Sequence, residues 1–184
     1  MYDLLSQGRI TSGYGHRSAP VKGASTNHMA IDIVLKSDNV PSITSGTVEY
    51  VGYSSGGGNM VYIRNDDGTL AKYMHLAAPS SLKKGQKVGE GQIIGTQGAT
   101  GNVTGKHLHL AIVGTDGKTI NPVTYLGGAE GTYTYGSTTG GSNNGGIKDA
   151  LLNILSKLVL FIVIVLIVVL AAYLFIKAFN IQIF

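Results

Sequence analysis

The chain has 184 residues, a formal charge of +4, 43% hydrophobic residues and no cysteine, a length that fits one ordinary domain plus a small accessory segment. The missing cysteines exclude disulfides, a thiolate nucleophile and cysteine-ligated zinc. Residues 1–126 hold eleven Lys/Arg against eight Asp/Glu, with no dense basic run and no interleaved aromatics. That balance argues against nucleic-acid binding but suits an anionic polymer such as a bacterial wall.

The first ten residues, MYDLLSQGRI, carry Asp3 and lack a basic n-region and a long apolar core, so a secretory signal is not expected. From there to residue 126 the chain alternates short β-branched runs with Gly, Asn-Asp and Asp-Gly turn signals, and no sustained 3.6-residue period appears. The expectation is a mainly β domain over 1–126. Within it, NHMAIDIVL sets His28 four residues before Asp32. A fully extended strand would part them by ~13 Å, too far to share an ion with ~2 Å bonds. A bend near Met29-Ala30 leading into a strand is expected to close that gap.

Val61–Arg64, the turn Asn65-Asp66-Asp67-Gly68 and Thr69–Tyr73 read as a hairpin, with His75 directly after its second strand. The glycine-rich stretch GTQGATGNVTG then leads into KHLHLAI, and its glycines allow a tight loop that can approach a ligand closely. Strand alternation puts His107 and His109 on one face and Leu108 and Leu110 on the other. Thr115-Asp116-Gly117-Lys118 marks a second hairpin.

Residues 127–147 contain eight glycines and few bulky aliphatics. They read as a flexible Gly/Ser-rich linker with a root-mean-square reach of ~25 Å. Residues 148–184 read as a membrane-anchoring helix, because 158–176 are 19 uncharged residues between Lys157 and Lys177. As a helix they would span ~28 Å, close to the hydrocarbon thickness of a bilayer. The expected protein is single-pass and held in the lipid bilayer by its tail.

Catalytic zinc commonly takes three protein ligands and keeps one position for water. His28, Asp32 and one of the pair His107/His109 meet that count, and the remaining histidines would then be free to handle protons. No HExxH occurs, so a helical glutamate base is not the design.

The motifs ITSGYGHR, NHMAIDI, PSITSGTVEYVGY, GGGNMVYIRN, YMHL, LKKGQKVGEGQIIGTQGATGNVTGKHLHLAI and INPVTYL follow one another over roughly residues 10–126. In that order they resemble the lysostaphin-like zinc endopeptidases, which cleave peptide cross-bridges of bacterial peptidoglycan. The resemblance implies a β-sheet-rich, barrel-like domain with an open groove over one Zn2+. It implies zinc ligation by His28, Asp32 and His109, with His75 and His107 as the catalytic pair that activates water and stabilises the transition state.

Two positions depart from the family pattern. Ala30 replaces the glycine between the first histidine and the aspartate, and Ala111 stands where relatives often carry an acid. His16 matches no ligand and reads as a groove-wall or surface residue. The intact set of five residues favours an active peptidoglycan endopeptidase over two alternatives, a non-catalytic wall-binding module and a structural membrane protein of a virion or cell envelope. The tail and the absent export signal favour a bacteriophage virion-associated lytic enzyme that opens the wall for genome passage, with other virion or envelope proteins as partners.

Overall fold

A computed structural model describes residues 1–19, 22, 25–129 and 155. After a 3-10 turn at Leu5–Gln7, the chain forms β1 (Gly8–Ser12), β2 (Gly15–His16), β3 (Asn27–His28), β4 (Ile31–Leu35) and β5 (Asn39–Pro41). The long β6 (Gly46–Ser54), β7 (Gly58–Asn65) and β8 (Leu70–Leu76) follow. Then come β9 (Lys87–Val88), β10 (Ile93–Thr96), β11 (Leu108–Val113), β12 (Thr119–Ile120) and a one-turn helix, α1 (Pro122–Tyr125). Asn121 caps α1 by accepting from the Val123 N–H, and Pro122 occupies the first helical position.

The main sheet runs β1-β4-β11-β8-β7-β6-β9, with β12 paired to β11, while β10-β5 and β2-β3 form two small ribbons. Both hairpins expected from their turn residues are present, β7–β8 through Asn65–Gly68 and β11–β12 through Gly114–Lys118. The expected barrel-like closure is not. The sheet is mainly antiparallel and open, because β1 and β9 end the strand order and do not pair with each other.

Alternation divides the sheet into two chemically different faces. Ile31, Ile33, Val61, Ile63, Ala71, Tyr73, Leu108, Leu110 and Ile112 are wholly buried on one face and form the core with Leu4, Val40, Ile43 and Leu76. Tyr73 is tolerated there because its hydroxyl accepts the Ile43 N–H at 3.0 Å. Burial pushes its phenol well above the usual range. The opposite face carries Asp32, His109, Ala111, Lys72 and Tyr62, set by register in neighbouring strands.

Among the described residues no helix is long and apolar enough to cross a membrane. The expected span at 158–176 and nearly all of the expected linker lie outside the described residues.

Candidate metal centre

The site begins with strand register. Asp32 on β4 and His109 on β11 are direct antiparallel partners although 77 residues separate them in sequence. Direct partners project to the same face, so the Asp32 Oδ1 and His109 Nδ1 atoms meet at 2.8 Å. His28 arrives from β3. The chain turns at Ala30 between β3 and β4, as the distance argument requires, and this brings His28 Nε2 to 3.2 Å from Asp32 Oδ1 and 3.3 Å from His109 Nδ1. Alanine at the bend is compatible with the backbone, since the only non-glycine residue with positive φ among the described residues is His75.

His28, Asp32 and His109 form a group whose donor atoms all lie within 4.8 Å of one another. Two donors each ~2.1 Å from a tetrahedral ion would stand ~3.4 Å apart, and the 3.2 and 3.3 Å separations from His28 lie close to that edge. Asp32 and His109, at 2.8 Å, stand at hydrogen-bond distance and would part by about 0.6 Å to admit an ion. Two imidazole nitrogens and one carboxylate oxygen also suit zinc chemically.

The surroundings fix each ligand's protonation and orientation. A carbonyl can only accept, so the 2.8 Å contact between His28 Nδ1 and Gly13 O places the proton on Nδ1 and leaves the Nε2 lone pair for the shared space. Burial alone would raise the Asp32 carboxyl, but hydrogen bonds and charge from His109 and His28 outweigh it and hold the group well below the usual carboxylate range. Burial lowers His109, against an opposing pull from Asp32. A divalent cation would take the place of the protons shared in these contacts, since it requires an ionised carboxylate and bare donor nitrogens.

His75 and His107 stand beside this trio. The His75 ring centroid is 5.0 Å from that of His107 and 5.4 Å from that of His109, and His107 Nε2 is 3.6 Å from Asp32 Oδ1. In both residues Nδ1–H donates to a backbone carbonyl, Thr100 O at 2.9 Å and Gly105 O at 2.8 Å, which leaves Nε2 as the proton-exchanging atom. Burial pushes His75 down to about 4, reinforced by the neighbouring histidines, so it is an unprotonated acceptor near neutral pH.

His75 has φ 62 and sits where β8 bulges against β7, between the pairs Tyr73–Val61 and Leu76–Asn59. An even alternation would place its side chain with that of Tyr73 in the core. The bulge re-aims it to the site.

The glycine-rich loop before β11 does make a close approach, but to the protein itself. A Cβ at Gly101, φ 87, would fall on the backbone of Gly56 and Gly58. That contact seats Thr100 so that its carbonyl reaches His75. His107 is placed by its N–H bond to Gly98 O at 2.9 Å. His16 is exposed on β2 and outside the cluster.

One contributor, the arginine that closes the motif ITSGYGHR, was given no role by the sequence reading. Arg17 Nη1 donates to Asp32 Oδ2 at 2.9 Å and also bonds Ser12 Oγ, which lies 3.4 Å from His28 Nδ1. The guanidinium thus occupies one carboxylate oxygen and leaves Oδ1 for the ion. Arg17→Ala is expected to weaken zinc affinity by about 10–100-fold, read by competitive chelator titration. An unchanged affinity would contradict this role.

Comparison with known proteins gives concordant results. The model of Peptidase family M23 matches residues 26–122. Peptidoglycan DD-endopeptidase ShyC of Vibrio cholerae is 39% identical over 103 residues, covering 55% of this chain and 24% of that protein. Glycyl-glycine endopeptidase ALE-1 of Staphylococcus capitis is 34% identical over 143 residues, covering 74% of this chain and 38% of that protein. The crystallised catalytic domain of the antimicrobial peptidase lysostaphin from Staphylococcus simulans superposes with a TM-score of 0.58 at 30% identity. That match covers 67% of this chain and 95% of the domain. The chain spans 24–26% of the length of the first curated relatives it matches.

Proposed function

Because this chain belongs to Peptidase family M23, we propose that it is a zinc endopeptidase hydrolysing peptide bonds in bacterial peptidoglycan. The observation that carries the reading is the convergence of His28, Asp32 and His109, donor atoms inward, beside two histidines whose Nε2 atoms are free to exchange protons. The names of the relatives, DD-endopeptidase and glycyl-glycine endopeptidase, favour a wall peptide as substrate.

In this reading His28 Nε2, Asp32 Oδ1 and His109 Nδ1 hold the ion. Bound zinc would supply Lewis acidity for the scissile carbonyl and a water of lowered pKa. The rest of the work falls to the chain. His75, neutral near pH 7 because it is buried, accepts a proton at Nε2 as water attacks. His107, on the more open side with its Nδ1–H committed to Gly105 O, can donate from Nε2 only after that atom has taken up a proton, which it then passes to the departing amine. The backbone carbonyls of Thr100 and Gly105 keep both rings in the tautomer these transfers need.

The 19 uncharged residues at 158–176 support a further part of the reading. In it the domain is tethered through a Gly-rich linker to a lipid bilayer, as a hydrolase carried by a bacteriophage particle would be. Detection in purified particles would support that setting, and detection only in uninfected cell envelopes would end it.

The enzymatic reading is tested by mass analysis of fragments released from purified walls by the full-length protein. Peptides with new amino termini should appear and should vanish when a chelator is added. Release that persists with chelator, or release of sugar fragments alone, would refute the assignment.

A further inference from the structure

The face of the sheet that bears the metal centre continues past it, and the next row of side chains has no part in the chemistry above. Two residues beyond His109 on β11 is Ala111. Its register partner on β8 is Lys72, Lys72 faces Tyr62 on β7, and Tyr62 faces Tyr50 on β6. Because Ala71 and Tyr73 are wholly buried in the core, Lys72 between them must project to the His109 face. The row lies ~7 Å along the strand from His109, about two residues of an extended peptide.

Lys72 on this row lacks a countercharge. Its ammonium is 5.2 Å from the centroid of the Tyr62 ring, and Tyr62 packs on Tyr50 with centroids 5.0 Å apart. Among the described residues no carboxylate pairs with it. Glu49 on β6 is taken by Arg64, through bonds of 2.7 and 2.9 Å. The residue opposite, Ala111, offers only a methyl group. The lysine stem is half-buried and its head is held over an aromatic face, which restricts its freedom before any ligand arrives.

We propose that Lys72, supported by Tyr62, is a specificity-determining residue that binds a free carboxylate of the substrate peptide about two residues from the scissile bond. This inference rests on the endopeptidase reading and names the class of peptide that the site prefers. Wall peptides joined through side chains leave such carboxylates unconsumed by the main chain, so the chemistry is available in the substrate class.

The test uses zinc-loaded full-length protein and two peptides that differ only in carrying a carboxylate or a carboxamide at that residue. The wild type should favour the carboxylate by about tenfold in kcat/KM, carried by KM, as one charge-assisted hydrogen bond allows. Lys72→Gln should bring the ratio close to one, and Lys72→Arg should restore most of it. A wild-type ratio near one, or a ratio that Lys72→Gln leaves intact, overturns the inference while leaving the peptidase reading standing. Cleavage of neither peptide by the zinc-loaded wild type overturns both.

Discussion

His109→Ala is expected to abolish zinc retention and wall lysis together while leaving the fold in place. His109 lies on β11 between β4 and β8, and it contributes one of the three donor atoms. Its removal leaves an imidazole and a carboxylate, too few to compete with water for zinc. The loss in affinity should exceed the roughly hundredfold that removal of an outer-shell partner costs. Lysis should fall to the level seen with chelator. The core should survive, because Leu108 and Leu110, on the other face, remain wholly buried. A protein that only binds walls would keep its attachment and lose nothing else. Circular dichroism, zinc titration and turbidity clearing on the same preparation separate these outcomes, and lysis by the folded variant would defeat the enzymatic account.

The second large effect is at His75, where the expected loss is in the rate and not in the metal. Asparagine tolerates the positive φ at this position better than most residues, and its amide can still donate to Thr100 O, but it cannot accept a proton as imidazole does. His75→Asn should therefore lower kcat by about 10²–10⁴-fold with zinc affinity nearly unchanged. A kcat within a few-fold of wild type would remove His75 from the mechanism.

The same variant has a signature in stability. His75 is depressed from 6.5 to about 4 on folding, so between those values the unfolded chain binds the additional proton. Its contribution to stability is complete above 6.5 and is lost as pH falls toward 4. In metal-free protein, His75→Asn should flatten that part of the acid slope in urea midpoints.

The parts of the site written in contiguous sequence were legible, and the parts made by strand register were not. The separation of His28 and Asp32 demanded a bend, and the bend lies where strand geometry required it. The face shared by His107 and His109 followed from alternation alone. Nothing local, however, states that Asp32 will sit opposite His109, because the pairing of distant strands is decided by which core faces match. The β8 bulge that turns His75 out of the core depends on the fit of β7 against β8, which no single strand encodes. The role of Arg17 was hidden for a similar reason. Its side chain reaches Asp32 from the segment after β2, and neither segment announces the other. The open edges of the sheet, where a barrel-like closure was expected, likewise depend on which short strands end the strand order.

Zinc-edge anomalous diffraction from zinc-loaded crystals tests the convergence of ligands most directly. The account predicts one strong peak ~2.0–2.2 Å from His28 Nε2, Asp32 Oδ1 and His109 Nδ1. A map with no peak among these three atoms, or with zinc bound elsewhere on the domain, would contradict it.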